Sequence, residues 1–286
     1  GLELHFGDAD SALALLHAIA GSRGFGRIAG KGIRFMKFYF EEHYGADPVF
    51  LEDIGMECRG LEYPQCFTAE SPASQAACGA AAGGYLQDGD WPLMVGIGEE
   101  SGQEVEALAE AVHSSQLWAS WFGLAGLCAI PWSSIDPEKA PERVESYCSL
   151  FEGVTGREVS PVDLLKMSER VHNFRRVFDM RMGHGTREQD GAPYRALGPA
   201  TESEYESRKD LYDGQLREEA GIDPDDMSTG EKLAALRKHR EKLYGDLLSA
   251  LYRSREWTDD GEPTGKKLVK LGIDFPEVLD VVKPGG

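Results

Sequence analysis

Residues 118–132 read WASWFGLAGLCAIPW, a stretch in which glycine and alanine are interspersed with large apolar side chains. Gly123 and Gly126 allow the main chain to come close to a bulky neighbour, while the apolar side chains keep water away. Cys128 lies two residues after Gly126. A thiol in this setting is either an inert core residue or a ligand to a soft metal centre, and the stretch alone leaves both readings open.

The residues before this stretch predict a helix that leads into it. Ser101 and Glu104 have the spacing of a capping box, which is typical of a helix start. An apolar stripe then continues at helical spacing through Val105, Leu108 and Val112. We therefore expect a helix that delivers the chain to Trp118.

Apolar residues at helical spacing predict further helices on both sides. The longer ones cover about residues 8–20, 27–43, 141–152, 161–182 and 229–251, and shorter ones cover 263–271 and 275–282. The helix from residue 161 has the clearest start, because Ser160 can cap it and Pro161 suits its first position. Its apolar residues then recur at steps of three and four: Leu164, Met167, Val171, Phe174 and Phe178.

No alternating apolar and polar pattern of any length indicates paired strands. Prolines and glycines divide residues 55–98 into short pieces around the run PASQAACGAAAGG at 72–84. That run fits either a tightly packed helix or a backbone that closely approaches a ligand. The sequence predicts an all-α fold of two packed helical subdomains, residues 1–100 and 101–286.

Composition excludes several classes of function. The 286 residues include 30 basic and 49 acidic side chains, and the resulting net charge of −19 repels nucleic acids and anionic membrane surfaces. The chain shows neither a membrane-spanning apolar run nor a signal peptide, so we expect no membrane insertion and a cytoplasmic protein. Its five cysteines are scattered without a CxxC pair, which argues against a self-contained zinc or iron–sulfur site.

Four separate stretches resemble, in order, the C-terminal part of the aldehyde:ferredoxin oxidoreductase family, the tungsten–pterin enzymes. They are GLELHFGDADSALALLHAIAGSRGFGRIAGKG at 1–32, MECRGLEYP at 56–64, SERVHNFRRVFDMRMGHGTREQD at 168–190 and YRSREWTDDGEPTGKKLVKLGI at 252–273. Their order and spacing extend over nearly the whole chain. The resemblance implies a fold like the C-terminal helical domains of that family.

The resemblance also gives the opening stretch a function. Gly126, Leu127 and Cys128 match the family's "D..GLC" motif, in which Gly-Leu contacts the pterin and the cysteine is one of four ligands of a [4Fe-4S] cluster. Small residues would let main-chain amides reach the edge of the pterin ring, and a thiolate is the soft ligand that cluster iron requires. Gly123 stands at the motif's acidic position, so one side-chain hydrogen bond to the pterin is missing.

A second departure concerns the family's "RG..H" segment, whose histidine approaches the metal. An ungapped alignment places Gly83 and Gln87 at the arginine and histidine positions. An amide is neither a general acid nor a general base near neutral pH, so the catalytic residue is unknown. His113 and His184 are the remaining histidines that merit testing, although each also fits an ordinary surface or loop position.

The resemblance places the other three cluster cysteines in a "C..C...C" motif that belongs to the N-terminal part of the family. The expected cofactors are therefore a tungsten or molybdenum bis-pterin and a [4Fe-4S] cluster shared with that domain or with a separate chain. Expected partners are ferredoxin or an iron–sulfur electron-transfer subunit, and an oligomer is compatible with the sequence.

The expected reaction is oxidation of an aldehyde to a carboxylate. Two alternatives stay open. Residues 202–251 resemble the extended region of the tungsten subunit of class II benzoyl-CoA reductase, and that region could equally be a docking surface or added core. The departures at Gly123, Gly83 and Gln87 also fit a non-catalytic helical subunit that keeps the fold and binds a partner.

Overall fold

A computed structural model describes residues 3–5, 7–58, 61–62, 105–127 and 141–282. The N-terminal elements are α1 (Ala9–Ala20), α2 (Gly26–Ala29), α3 (Ile33–Tyr44), α4 (Pro48–Ile54), β1 (Glu57–Cys58) and β2 (Leu61–Glu62). The middle helices are α5 (Val105–Ala125), α6 (Pro141–Thr155) and α7 (Pro161–Arg181). Two 3-10 turns, Glu188–Asp190 and Tyr194–Leu197, precede α8 (Glu202–Ser207), α9 (Lys209–Glu218), α10 (Thr229–Ser254), α11 (Gly265–Leu271) and α12 (Pro276–Leu279).

The predicted all-α class is confirmed. Within the described residues, extended structure is limited to the two-residue antiparallel pair β1–β2 and one bridge between Trp257 and Pro263. The predicted single helix over 27–43 is wrong, because the chain breaks between α2 and α3, where Gly32 has a φ of 85°. Helices α4, α8 and α9 are additional to the predicted ones. The predicted subdomain boundary near residue 100 lies outside the described residues.

Helix α5 is the centre of the fold because different neighbours cover its two halves. Its first half packs against α10 and buries Leu108 and Val112 beside Leu247 and Leu251. Its second half contributes to a cluster with α6 and α7, which contains Trp118, Trp121, Phe122, Val144, Tyr147 and Leu164. Helix α5 therefore fixes the position of its own C-terminal end, where the sequence predicts the site.

The N-terminal helices are joined to this centre through specific contacts. A Cβ atom at Gly26 would lie 2.2 Å from the carbonyl carbon of Ala18, so only glycine permits the close crossing of α1 and α2. Met56, which follows α4, is buried in the core of α5 and α10. Arg195 donates from Nη2 to Oδ2 of Asp53 at 2.8 Å and ties α4 to the second 3-10 turn.

Helix α7 presents an unexpected face to the interior. An apolar stripe at steps of three and four normally faces the core. Here Leu164 is buried, whereas Phe174 and Phe178 are exposed. The inward positions are instead largely polar: Ser168, His172, Asn173 and Arg176 are all buried. The reason is a set of buried hydrogen bonds, described below, that requires polar side chains on this face.

Candidate functional site

The C-terminal end of α5 is held by two main-chain hydrogen bonds. The amide of Leu127 donates to the Phe122 oxygen at 2.9 Å, and the amide of Gly126 donates to the Gly123 oxygen at 3.2 Å. Gly126 has a φ of +69°, the left-handed conformation that this way of ending a helix requires. Glycine is thus needed at 126 by the backbone itself, whatever else the residue contacts.

Among the described residues, none lies close to Gly123 or Gly126 on the outer side of this helix end. A Cβ atom added at Gly123 or at Gly126 would meet no described atom within 4 Å. Residues 123–126 are exposed, and Leu127 is half-buried against the aromatic cluster behind it. A flat ligand could therefore lie directly on the main chain here. The amides of Gly126 and Leu127 donate within the helix end, and the predicted contact between this segment and a pterin stays a prediction.

The main-chain oxygens of Leu124 and Ala125 accept no main-chain hydrogen bond from a described residue beyond the helix. The last carbonyl groups of a helix have no intrahelical partner, and they carry partial negative charge. They therefore favour a ligand edge that bears N–H donors. The helix end fits a planar, donor-bearing ring such as a pterin, by contact with the open main chain and by hydrogen bonds to carbonyl groups.

An aromatic cluster supports the helix end from behind. The ring of Tyr147 lies 4.9 Å from that of Trp121 and 5.6 Å from that of Phe122, both in tilted or edge-on arrangements. Phe122 is fully buried in this cluster, so it does not form the wall of an open site. Leu124 is 52% exposed and is the side chain that faces outward. The cluster therefore packs against one side of the end of α5, and residues 123–126 on the other side are exposed.

The predicted site residues divide into two groups. Gly123, Gly126 and Leu127 lie together at the end of α5, whereas Cys128 and Gln87 lie outside the described residues. Within the part of the chain that the structure describes, no three His, Cys, Asp or Glu side chains are placed to hold a metal ion. His184 follows the end of α7, and its main-chain amide donates to the Asp179 oxygen at 2.8 Å.

His113 is part of the core rather than of the candidate site. Its Nδ1 lies 3.1 Å from the hydroxyl of Ser254. Burial, with smaller contributions from Arg255 and Lys267, lowers the pKa of His113 from 6.5 to about 3. The ring is therefore neutral near pH 7, and it sits about 20 Å from Gly126 along the axis of α5. It is too far away to exchange protons with a ligand at the helix end.

A buried ion pair and its hydrogen bonds join two of the stretches that carry the resemblance, 168–190 and 252–273. Arg176 donates to both carboxylate oxygens of Asp190, at 2.9 and 2.8 Å, and its Nε donates to the Gly261 oxygen at 2.8 Å. The hydroxyl groups of Tyr252 and Tyr244 donate to the carboxylate and the main-chain oxygen of Asp190. A Cβ atom at Gly261 would lie 2.5 Å from Nη2 of Arg176, so a larger residue does not fit there.

Trp257 extends this set of contacts toward α5. Its Nε1 donates to Oδ1 of Asn173 at 2.8 Å, and the guanidinium groups of Arg176 and Arg255 lie 4.9 and 4.8 Å from its ring centre. The ring of His172 stacks on it at 5.7 Å. In the sequence, these residues were recognised only as part of the stretches that resemble the family. The mixture of Arg, Asp and Trp in two separated stretches is the signal that could have predicted a buried network.

The fold and the helix end define the class of protein. It is an all-α protein in which the main chain at the end of α5 is exposed, with glycine at positions 123 and 126. The chain belongs to the aldehyde ferredoxin oxidoreductase family, because it matches the family described as aldehyde ferredoxin oxidoreductase, domains 2 & 3, over residues 1–273. No curated protein matches the chain.

Family membership assigns the chain to an oxidoreductase-type enzyme, of a kind associated with a metal–pterin cofactor. The matched region covers the stretches whose residues form the Arg176–Asp190 network and the helix end at Gly126. Among the described residues, no helix is both long enough and apolar enough to cross a membrane.

Proposed function

We propose that this chain is the C-terminal part of a cytoplasmic tungsten–bis-pterin, [4Fe-4S] oxidoreductase that converts an aldehyde to a carboxylate. The observation that carries the proposal is the open end of α5, where Gly123 and Gly126 leave the main chain accessible in a member of this family. When bound, the metal–pterin group would supply the two-electron oxidation of the aldehyde, with water as the source of the added oxygen, and the cluster would carry the two electrons toward ferredoxin.

The chain's own residues bind and orient the cofactor. Gly123 and Gly126 would let a ring approach the main chain, and the carbonyl groups of Leu124 and Ala125 would be its hydrogen-bond acceptors. Leu127 keeps water away from one side of the ring, since it packs on the aromatic cluster. Cys128 is proposed as one cluster ligand, and the N-terminal domain or a separate chain supplies the other three.

Metal analysis of the purified assembly tests this function. We expect tungsten or molybdenum, together with about four iron atoms per cluster site. The Cys128→Ser variant should lose the cluster iron, and Cys148→Ser is its matched control because Cys148 packs half-buried against the aromatic cluster. Full iron occupancy in Cys128→Ser would refute the ligand assignment.

Gly123→Ala separates stability from cofactor binding. Alanine is a better helix former than glycine, and position 123 has open space, so the free energy of unfolding should rise by about 0.5–1 kcal/mol. The same methyl group would stand where the ring lies, so pterin content should fall. Gly153→Ala in α6 is the control, because its surroundings are equally open and it should stabilise without loss of pterin. Equal pterin content in both variants would contradict the proposal.

The alternative reading as a benzoyl-CoA reductase-like subunit rests on residues 202–251. In the structure, α10 within this region packs along α5 and supplies much of the core, which favours added core over a docking surface. Assays of the assembly with aldehydes and with benzoyl-CoA-type substrates distinguish the two reactions. A colourless, metal-free preparation without a chain bearing the three-cysteine motif would favour the non-catalytic reading.

A further inference from the structure

Helix α10 ends with a glutamate in a backbone conformation that normally selects glycine. Glu256 has a φ of 57°, and the main-chain amides of Glu256 and Trp257 donate to oxygens in the last turn of α10, at 3.0 and 2.9 Å. Helices α5 and α11 end with the same pair of bonds, and they have Gly126 and Gly272 at the corresponding position. A side chain is strained in this conformation, so the contacts of the Glu256 side chain have to offset a backbone cost.

The carboxylate of Glu256 lies between two lysines of α11. Its Oε1 accepts from Nζ of Lys267 at 2.9 Å and from Nζ of Lys270 at 2.6 Å. Lys267 is 3% exposed, and its Nζ also lies 2.5 Å from Oε1 of Glu169 in α7. The hydrogen bonds from Lys270 and Lys267 lower the pKa of Glu256 to about 2, so the carboxylate is charged near neutral pH. These ion pairs join α11 to the end of α10 and to α7.

Helices α11 and α12 have a small apolar core that they share with α7. Among the described residues, its buried members are Val177 of α7 together with Leu268, Leu271, Ile273, Val278 and Val282. The turn that precedes α11 is held separately, because Arg176 donates to the Gly261 oxygen and Trp257 donates to Asn173. A segment with its own core and few connections to the rest can open without global unfolding. Residues 264–282, the α11–α12 unit, meet this description.

The α11–α12 unit borders the candidate site. Ile273, which directly follows the end of α11, lines a groove of about 390 Å³ together with Leu124 at the end of α5. The groove is otherwise lined by residues of α7. Displacement of the unit therefore removes one wall of this groove while α5 and α7 stay in place.

We propose that the α11–α12 unit opens independently of the rest of the fold, and that the ion pairs of Glu256 with Lys267 and Lys270 are the latch that keeps it closed. The latch exists only while α11 lies against the end of α10. The strained backbone of Glu256 is present in the closed and the open form alike, because the hydrogen bonds that end α10 do not involve the unit. Opening is thus controlled by the charge of Glu256 and moves Ile273 away from Leu124.

Hydrogen–deuterium exchange of the full chain tests the latch, with mass spectrometry of peptides from 264–282 and from the centre of α10. Glu256→Gln keeps the strained backbone and removes the charge, whereas Glu256→Gly removes both. Exchange in 264–282 should be about fivefold faster in both variants, since partly exposed ion pairs contribute modestly, and exchange in the centre of α10 should not change. Asp246→Asn is the control, because it removes an exposed ion pair within α10 and should leave 264–282 unaffected.

Urea denaturation of the same variants separates strain from charge. Glycine relieves the strain at a φ of 57°, so Glu256→Gly should unfold at a higher urea concentration than Glu256→Gln does. Equal acceleration of 264–282 in both variants, together with this difference in urea, supports the proposal. Unchanged exchange of 264–282 in either variant, or an equal increase throughout α10, overturns it. A urea midpoint of Glu256→Gly at or below that of Glu256→Gln would overturn the separation of strain and charge on which the latch depends.

Discussion

The Arg176–Asp190 pair offers the sharpest test of how the fold is held together. Arg176 and Asp190 have side chains that are 1% and 0% exposed, and Asp190 accepts two bonds from the guanidinium and one from Tyr252. Asp190→Asn keeps the shape but removes the negative charge, which leaves a buried guanidinium without its counter-ion. Removal of one partner of such a pair costs about 3–5 kcal/mol, so we expect a loss of this size.

Thermal and urea denaturation, followed by far-UV circular dichroism, measure this loss. For a domain of this size the expected change corresponds to a fall in melting temperature on the order of 10 °C. Asp246→Asn is the control, because Asp246 pairs with Lys242 at 2.6 Å with side chains that are 50% and 77% exposed. A surface pair of this kind contributes about 0.3–0.5 kcal/mol. The reasoning fails if Asp190→Asn destabilises the protein no more than the control does.

Three further changes test local parts of the structure. Ser228→Ala removes the hydroxyl that caps α10, and we expect the free energy of unfolding to fall by about 1 kcal/mol in urea denaturation. Gly126→Ala places a side chain at a φ of +69° and should cost about 1 kcal/mol by the same measurement; an unchanged value would contradict the described helix end. The pKa of His113 falls from 6.5 to about 3 on folding, so the unfolded chain takes up the proton at a higher pH than the folded chain does. The free energy of unfolding therefore decreases as the pH is lowered from about 6.5 to about 3. In urea denaturation over a pH series, the free energy of unfolding of His113→Asn should decrease less steeply with falling pH than that of the unmodified protein. Equal slopes would refute the lowered pKa of His113.

The helix starts could be predicted from the sequence because caps act locally. Ser160 and Ser228 both form the capping boxes that their spacing indicates, each with an acidic residue three positions on. The break between α2 and α3 could not be predicted from apolar spacing, since the stripe through Ile28 and Ile33 continues across it. It depends on the positive φ of Gly32, a conformation that glycine adopts readily but that apolar spacing does not report.

The candidate site was predictable only in part. The glycines at 123 and 126 indicate an accessible main chain; both residues are exposed and no described atom lies near an added Cβ, while the predicted pterin contacts stay predictions. The use of the Gly126 and Leu127 amides within the helix end was not predictable, because it depends on where α5 stops. The polar inner face of α7 was also missed, since Arg176 finds its partner Asp190 only after the chain folds back.

The contacts of the buried network span long stretches of sequence, and this has a consequence for the order of folding. Arg176 and Gly261 are 85 residues apart, Asn173 and Trp257 are 84 apart, and Gln116 and Arg255 are 139 apart. Helices form within microseconds from local contacts, whereas such distant pairs require large loops to close first. We therefore expect α5, α7 and α10 to form early, and the main-chain amides around Trp257 and Gly261 to gain protection from hydrogen exchange last.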